Sequence, residues 1–211
     1  LLAMAVDRII LSAIILSSLN IISVSLVALL IGATEAAFVL FLVARPRVVA
    51  LRGSPPYGWA LGLGIGSMQA SYLIYRLFDE QLQYSEYSGV NAVSLTLAFA
   101  ISITSVLGHA PPSSWQGALV QESSTTRPFI LSSIATAALI AGLVISLFVP
   151  LLLLAALPAI ALAWGPAQMT WLPSGMTPAA KQAFRRTTRQ SDKHRKASDE
   201  RIAGTTIDSE E

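Results

Sequence analysis

The sequence contains no cysteine, which excludes a disulfide framework, a thiolate zinc site and a thiol nucleophile. Charge is also scarce, because only 12% of the 211 residues are Asp, Glu, Lys or Arg, against about a quarter in ordinary soluble domains. Residues 129–180 contain none of these four residue types. Long apolar runs without charge are typical of membrane-spanning helices and not of a soluble core.

Apolar residues are correspondingly abundant, at 54% of the chain with a mean hydropathy of +0.62. A helix that crosses a membrane needs about 20 predominantly apolar residues. The sequence therefore predicts an all-α fold, a polytopic transmembrane bundle of about five passes within residues 1–173. The predicted spans are residues 18–43, 57–77, 90–107, 129–149 and 151–164. The last is short and contains Pro158, which disfavours a regular helix, so four passes are the alternative.

The distribution of basic residues predicts the orientation. Arg45, Arg47 and Arg52 mark the first connection as cytoplasmic under the positive-inside rule, and the acidic connection after residue 77 then lies outside. Residues 174–211 are predicted to be a polar, largely flexible tail, with eight Lys and Arg residues between positions 181 and 201. A basic tail prefers the cytoplasmic side, which favours five passes over four. We expect an integral multi-pass membrane protein with its C-terminus on that side.

Glu35 is an acid inside an apolar stretch that continues from Ile9 to Ala44. An ionised carboxylate in the hydrocarbon region costs about 2.5–3.5 kcal/mol even on insertion scales. Glu35 should therefore face protein, pair with a cation or stay protonated. It is either an ion or proton site, or a structural group in a hydrogen bond between helices. Because the sequence shows no second ionisable residue that would lie deep inside the membrane, the structural interpretation is favoured.

Small residues recur every four positions in the second predicted span, at Gly58, Gly62, Gly66 and Ala70. This spacing places them on one helix face, where they allow two helix backbones to approach closely. We call these four residues the glycine seam. The pattern is not a nucleotide-binding loop, since its glycine spacing differs and no strand precedes it. Whether the partner helix belongs to this chain or to another subunit stays open.

The segment GHAPPSSWQGALVQESSTTRP, residues 108–128, contains two adjacent prolines and is predicted to be a loop. It includes His109, one of two histidines in the chain. A metal site needs several converging ligands, and the other histidine, His194, lies in the charged tail. We therefore interpret His109 as a solvated loop residue. The sequence predicts no metal site, no cofactor site and no catalytic residue.

The tail is predicted to form a short helix at the membrane surface, beginning near Pro178. The residues expected to meet anionic lipid headgroups are Lys181, Arg185, Arg186 and Arg189. A basic segment beside membrane spans more often sets topology and binds lipid than binds nucleic acid, so no nucleic-acid partner is expected.

Three classes of function compete. The first is a non-catalytic subunit or assembly factor of a larger membrane complex, which works through the glycine seam and has other membrane subunits as partners. The alternative is a small transporter or channel with Glu35 as its titratable site and hydroxyls from Ser94, Ser102 and Ser105 along a polar path. An intramembrane enzyme is the weakest, because the sequence offers no cluster of acid, base or metal-binding groups.

Overall fold

The computed structural model describes residues 21–78 and 87–207, with side chains up to residue 202. All regular structure in these ranges is helical, so the predicted all-α fold is confirmed. The helices are α1 (Ile21–Val43), α2 (Pro46–Ala50), α3 (Ser54–Leu77), α4 (Ala92–Gln121), α5 (Thr126–Ser146), α6 (Leu152–Pro166), α7 (Leu172–Ser174) and α8 (Pro178–Ile207), with a π-helical turn at Ala167–Trp171 between α6 and α7. The start of the first predicted span, residues 18–20, and the acids Asp79, Glu80 and Glu86 lie outside the described residues.

Four of the described helical segments are long and apolar enough to cross a membrane, which fits an integral multi-pass membrane protein. They are α1, α4, α5 and the continuous segment from α6 to α7, Leu152–Ser174. Helix α3 has 24 residues and is equally long, but its glycines and polar residues make it less apolar. It packs along α4 as a fifth long helix of the bundle.

The long helices of the bundle alternate in direction. Gly58 lies against Ser113 and Gly66 lies against Ser105, so α3 and α4 are antiparallel. Helices α5 and α4 are antiparallel as well. The Ser132 hydroxyl donates to the Pro112 carbonyl, 3.2 Å away, and the later residue Leu139 lies against the earlier residue Gly108. The core between these helices and α1 is aliphatic, with large buried side chains such as Ile31, Leu73, Ile101 and Ile140.

Helix α4 differs from its prediction. It starts at a capping box, in which Asn91 Oδ1 accepts from Ser94 N and Ser94 Oγ accepts from Asn91 N, both at 2.9 Å. It then continues through Pro111 and Pro112 to Gln121. The loop predicted for residues 108–128 is therefore wrong over most of its length. A proline removes one hydrogen bond from a helix. Inside a membrane bundle there is no water to bind the remaining backbone N–H and C=O groups if the helix stops, so the helical hydrogen bonds on either side of the prolines are kept.

The segment from α6 to α7 continues past residue 164, where the sequence predicted the fifth span to end. Pro158 lies inside α6, and the helical segment continues through the π-helical turn and α7 to Ser174. A Cβ atom on Gly175 would collide with the carbonyl oxygen of Arg52, so the two backbones are in contact. This helix therefore finishes at the end of the bundle where α3 begins.

The first compact unit ends at Gly175, and the second begins at Met176. The second unit contains α8, a single helix of 30 residues. This helix is much longer than the short surface helix that the sequence predicted.

Candidate functional site

Glu35 lies on the packed face of α1. The buried residues of α1 recur every three or four positions from Val24 to Val43, which is the spacing of one helix face. Glu35 belongs to this series, and only 7% of its surface is exposed. Its carboxylate is therefore directed toward the other helices, as expected for an acid that cannot face lipid.

His109 lies opposite Glu35, on α4. Its side chain is 2% exposed, so the solvated loop position predicted for it is wrong. The prediction failed because it ended the helix before His109, whereas α4 continues past this residue and turns the imidazole into the bundle. The Nε2 atom of His109 lies 3.5 Å from Oε2 of Glu35. The chain thus contains the second buried ionisable residue that the sequence did not reveal.

The backbone fixes which imidazole nitrogen carries a hydrogen. His109 Nδ1 lies 2.8 Å from the carbonyl oxygen of Ser105. Because a carbonyl oxygen only accepts, the Nδ1–H group must be the donor. Nε2 is then the nitrogen that gains or loses a proton, and it is the one that faces Glu35. Within the described part of the chain, neither Nε2 nor Oε2 has another hydrogen-bond partner.

In this geometry Glu35 and His109 can share one proton, which lies either on Oε2 or on Nε2. Either a protonated Glu35 faces a neutral imidazole, or a carboxylate faces an imidazolium, and the pair has no net charge in both arrangements. A lone buried charge would cost several kcal/mol, so the shared proton makes the pair compatible with a membrane interior. A charged hydrogen bond closes to about 2.7–2.9 Å. The 3.5 Å separation therefore leaves room for a small approach when the proton moves.

Gln116, two turns after His109 on α4, also connects α4 with α1. Its Nε2 donates to the carbonyl of Ala36, 2.9 Å away, and Ala36 is the neighbour of Glu35. The Oε1 atom of Gln116 is buried and has no hydrogen-bond partner among the described residues. Glu35, His109 and Gln116 therefore form a polar strip between α1 and α4, which we call the α1–α4 polar strip.

Prolines leave further acceptors beside His109. Pro111 and Pro112 have no N–H group, so the carbonyls of Leu107 and Gly108 lose their normal helical donors. Both carbonyls belong to the turn of α4 that carries His109. In membrane proteins, backbone carbonyls released in this way occur where they are buried in protein or line a cavity.

The glycine seam lies directly behind this site. Cβ atoms on Gly58, Gly62 and Gly66 would collide with the carbonyl oxygens of Ser113, His109 and Ser105, respectively. Gly64, on the opposite side of the helix, has nothing within 4 Å of such an atom. The neighbour of these glycines is thus α4 of the same chain, and Ala70 at the end of the seam is buried as well. The close approach sets the position of the α4 backbone that carries His109.

The serines of the expected polar path have local hydrogen-bond partners. The Ser94 hydroxyl completes the capping box with Asn91, and the Ser102 hydroxyl donates to the Ala98 carbonyl at 2.9 Å. The Ser105 hydroxyl donates to the Gly66 carbonyl at 2.8 Å, between helices. Ser105 touches the site only through its own carbonyl, which holds His109.

The predicted lipid-surface residues all lie on α8. Arg185, Arg186 and Arg189 are exposed, and Lys181 is half-buried together with Phe184.

Several buried polar residues were not identified from the sequence. Besides His109 and Gln116, they include Gln69, which is fully buried, and Ser114. Both Gln69 amide atoms and the Ser114 hydroxyl lack a hydrogen-bond partner within the described ranges. One signal was available, because Ser105, His109 and Gln116 follow one another at helical spacings of four and seven. It becomes visible only if the helix is assumed to continue through the two prolines.

Across residues 21–78 and 87–202, no three His, Asp or Glu side chains come together as metal ligands would. Comparisons with models of protein families, with curated proteins and with solved structures found no match to this chain.

Proposed function

We propose that the chain is a small membrane transporter or channel in which Glu35 and His109 bind and pass on a proton. The observation that carries the proposal is the buried pair itself, with His109 Nε2 at 3.5 Å from Glu35 Oε2. Ionisable residues inside membrane bundles are rare, and they mark ion pathways and proton relays. Support comes from the fixed Nδ1–H of His109, since it leaves Nε2 as the only nitrogen that exchanges a proton.

Each residue has a distinct role in this proposal. Glu35 and His109 exchange the proton between Oε2 and Nε2, a transfer that leaves the net charge of the pair unchanged at zero. Ser105 holds the imidazole in one orientation through its carbonyl. The partner-free Oε1 of Gln116 offers an acceptor for a water molecule that would bring the proton to the pair.

The test is proton flux in vesicles that contain the purified protein and a pH-sensitive dye. Because a positioned proton-transfer group is worth about 100-fold or more, Glu35→Gln and His109→Gln should each reduce the flux by about this factor. Glu122→Gln is the matched control, since Glu122 is an exposed acid at the end of α4 and its neutralisation should leave the flux unchanged. Flux that persists in Glu35→Gln would refute the proposal.

A second candidate function would then stand, a non-catalytic subunit or assembly factor of a membrane complex with other membrane proteins as partners. The observation in its favour is the exposure of α6, whose only buried residue is Leu153. Large aliphatic side chains such as Leu154, Leu157 and Leu162 point outward there, and either lipid or another subunit can cover them.

The proposed orientation places the C-terminus on the cytoplasmic side. Gly175, after which the basic tail begins, lies beside Arg52, and Arg45 and Arg47 belong to the same connection. Shared positive charge at one end of a bundle favours the cytoplasmic side. Lys181, Arg185, Arg186 and Arg189 would then meet the anionic headgroups of that leaflet.

A further inference from the structure

A groove opens between the end of α1 and the start of α5, with a volume of about 520 Å³. Its wall is apolar and consists mainly of Ala37, Leu40, Phe41, Ala44 and Phe129. The volume lies within the range of small-molecule sites in proteins. Because both helices are candidate membrane spans, the groove faces the hydrocarbon region along its length and the headgroup region at its end.

The rim of the groove at the headgroup end is positive. Arg45 and Thr125 line it, and the guanidinium carbon of Arg45 lies 5.1 Å from the centroid of the Phe41 ring. A cation–π contact of this kind holds the guanidinium over the mouth of the groove. Arg45 is exposed, and none of the described acids forms an ion pair with it.

The first turn of α5 adds donors to this rim. Thr125 is the N-cap residue and makes no side-chain capping hydrogen bond. The N–H groups of Thr126 and Arg127 have no partner within the helix because they belong to its first turn, and they carry partial positive charge. The side chain of Arg127, in the same turn, is exposed. The mouth of the apolar groove thus has a cationic side chain, Arg45, on one side and the start of a helix on the other.

From this charge complementarity we propose that the groove binds one anionic phospholipid. The phosphate lies at the rim between Arg45 and the first turn of α5, and an acyl chain lies along the apolar wall. With Arg47 and Arg52 at the same end and Glu122 as the only described acid there, this end of the bundle is net positive. It therefore attracts anionic lipids more strongly than zwitterionic ones. The site does not depend on the Glu35–His109 pair or on α8.

The experiment measures how many lipids stay bound to the purified protein by native mass spectrometry. The full chain is titrated with dioleoyl phosphatidylglycerol or, for comparison, with dioleoyl phosphatidylcholine. One tightly bound phosphatidylglycerol is expected. Arg45→Gln should weaken it by about fivefold, the usual contribution of one basic residue near an anionic headgroup. Arg47→Gln is the matched control, because Arg47 is an exposed arginine outside the groove, and it should cause a smaller loss.

A second pair of variants tests the apolar part of the site. Ala37→Phe places a large ring in the groove and should release the bound lipid without a change in charge. Thr34→Phe adds the same ring one turn earlier on α1, at an exposed position outside the groove, and should keep the lipid. Unfolding temperatures in detergent show which variants remain folded.

Three results would overturn the proposal. Equal losses for Arg45→Gln and Arg47→Gln would show general attraction to a basic surface. Equal losses for Ala37→Phe and Thr34→Phe, with both folded, would show that no acyl chain occupies the groove. Displacement of phosphatidylglycerol by millimolar inorganic phosphate would mean that the rim recognises phosphate alone.

Discussion

At the scale of single residues, Glu35 and His109 depend on each other because both are buried. His109 Nε2 and Glu35 Oε2 face one another at 3.5 Å without other partners in the described structure. Removing one side chain leaves the other as an unsatisfied polar group between two packed helices. Removing both leaves an apolar contact between α1 and α4 at these two positions, without an orphaned partner.

We therefore predict that the losses caused by two single substitutions add up to more than the loss caused by the double substitution. His109→Leu and Glu35→Leu should each lower the free energy of unfolding by about 1–3 kcal/mol, the cost of leaving a buried polar group unpaired. In the Glu35→Leu background, the further change His109→Leu should cost little or restore stability. The measurement is thermal unfolding of all four proteins in one detergent. Losses that simply add would mean that the two side chains do not interact.

At the scale of helices, α3 and α4 are held together along the glycine seam. Gly62 has the α4 backbone at His109 as its neighbour, whereas Gly64 faces open space. The sequence alone gave the spacing of the small residues, but the partner helix became known only from the structure.

The matched prediction is that Gly62→Leu damages the protein and Gly64→Leu does not. At Gly62, the new side chain must push two backbones apart, at a cost of typically about 1–3 kcal/mol in overpacking strain, and it displaces His109. At Gly64 the same side chain enters open space. Detergent stability of the two variants, measured side by side, tests this. Equal damage at both positions would contradict the proposed packing of α3 on α4.

The helices show what sequence reasoning reaches and what it does not. Segments such as α1 and α5 were located because the length and composition of a membrane span are local properties. The continuation of α4 through Pro111 and Pro112 is not local, since it depends on the packing of α3 against that turn. The candidate site was missed for the same reason. Glu35 was identified as an anomaly within one span, but its partner His109 was assigned to a loop.

At the scale of the whole molecule, charge is concentrated in a few places. Arg45, Arg47 and Arg52 lie at one end of the bundle, and most other basic residues lie on α8. Within α8, charge differs along the helix. Lys181, Arg185, Arg186 and Arg189 precede its first acid, Asp192. The later basic residues lie between or beside Asp192, Asp199 and Glu200, and Arg195 lies 3.9 Å from Asp192.

We predict that the first four basic residues of α8 dominate its binding to anionic vesicles. Each basic residue near such a surface contributes about 1 kcal/mol, so replacing all four by glutamine should weaken binding of a peptide of residues 178–207 by two orders of magnitude or more. The matched control replaces Lys193, Arg195, Lys196 and Arg201, which removes the same charge but from residues beside acids, and should weaken binding less. Unchanged binding in the first variant would show that Phe184 and its apolar neighbours carry the affinity.

The pairing of Glu35 with His109 also has a consequence for biogenesis. Synthesis proceeds from the N-terminus, so Glu35 is synthesised 74 residues before His109. Glu35 must enter the bilayer while its partner has not yet been made. Leu, Ile, Phe and Val favour insertion by about 0.3–0.6 kcal/mol each, and α1 contains enough of them to outweigh one acid. Glu35 therefore enters either as a neutral carboxylic acid or as an unpaired carboxylate, which costs free energy. When α4 is inserted later, His109 becomes its partner.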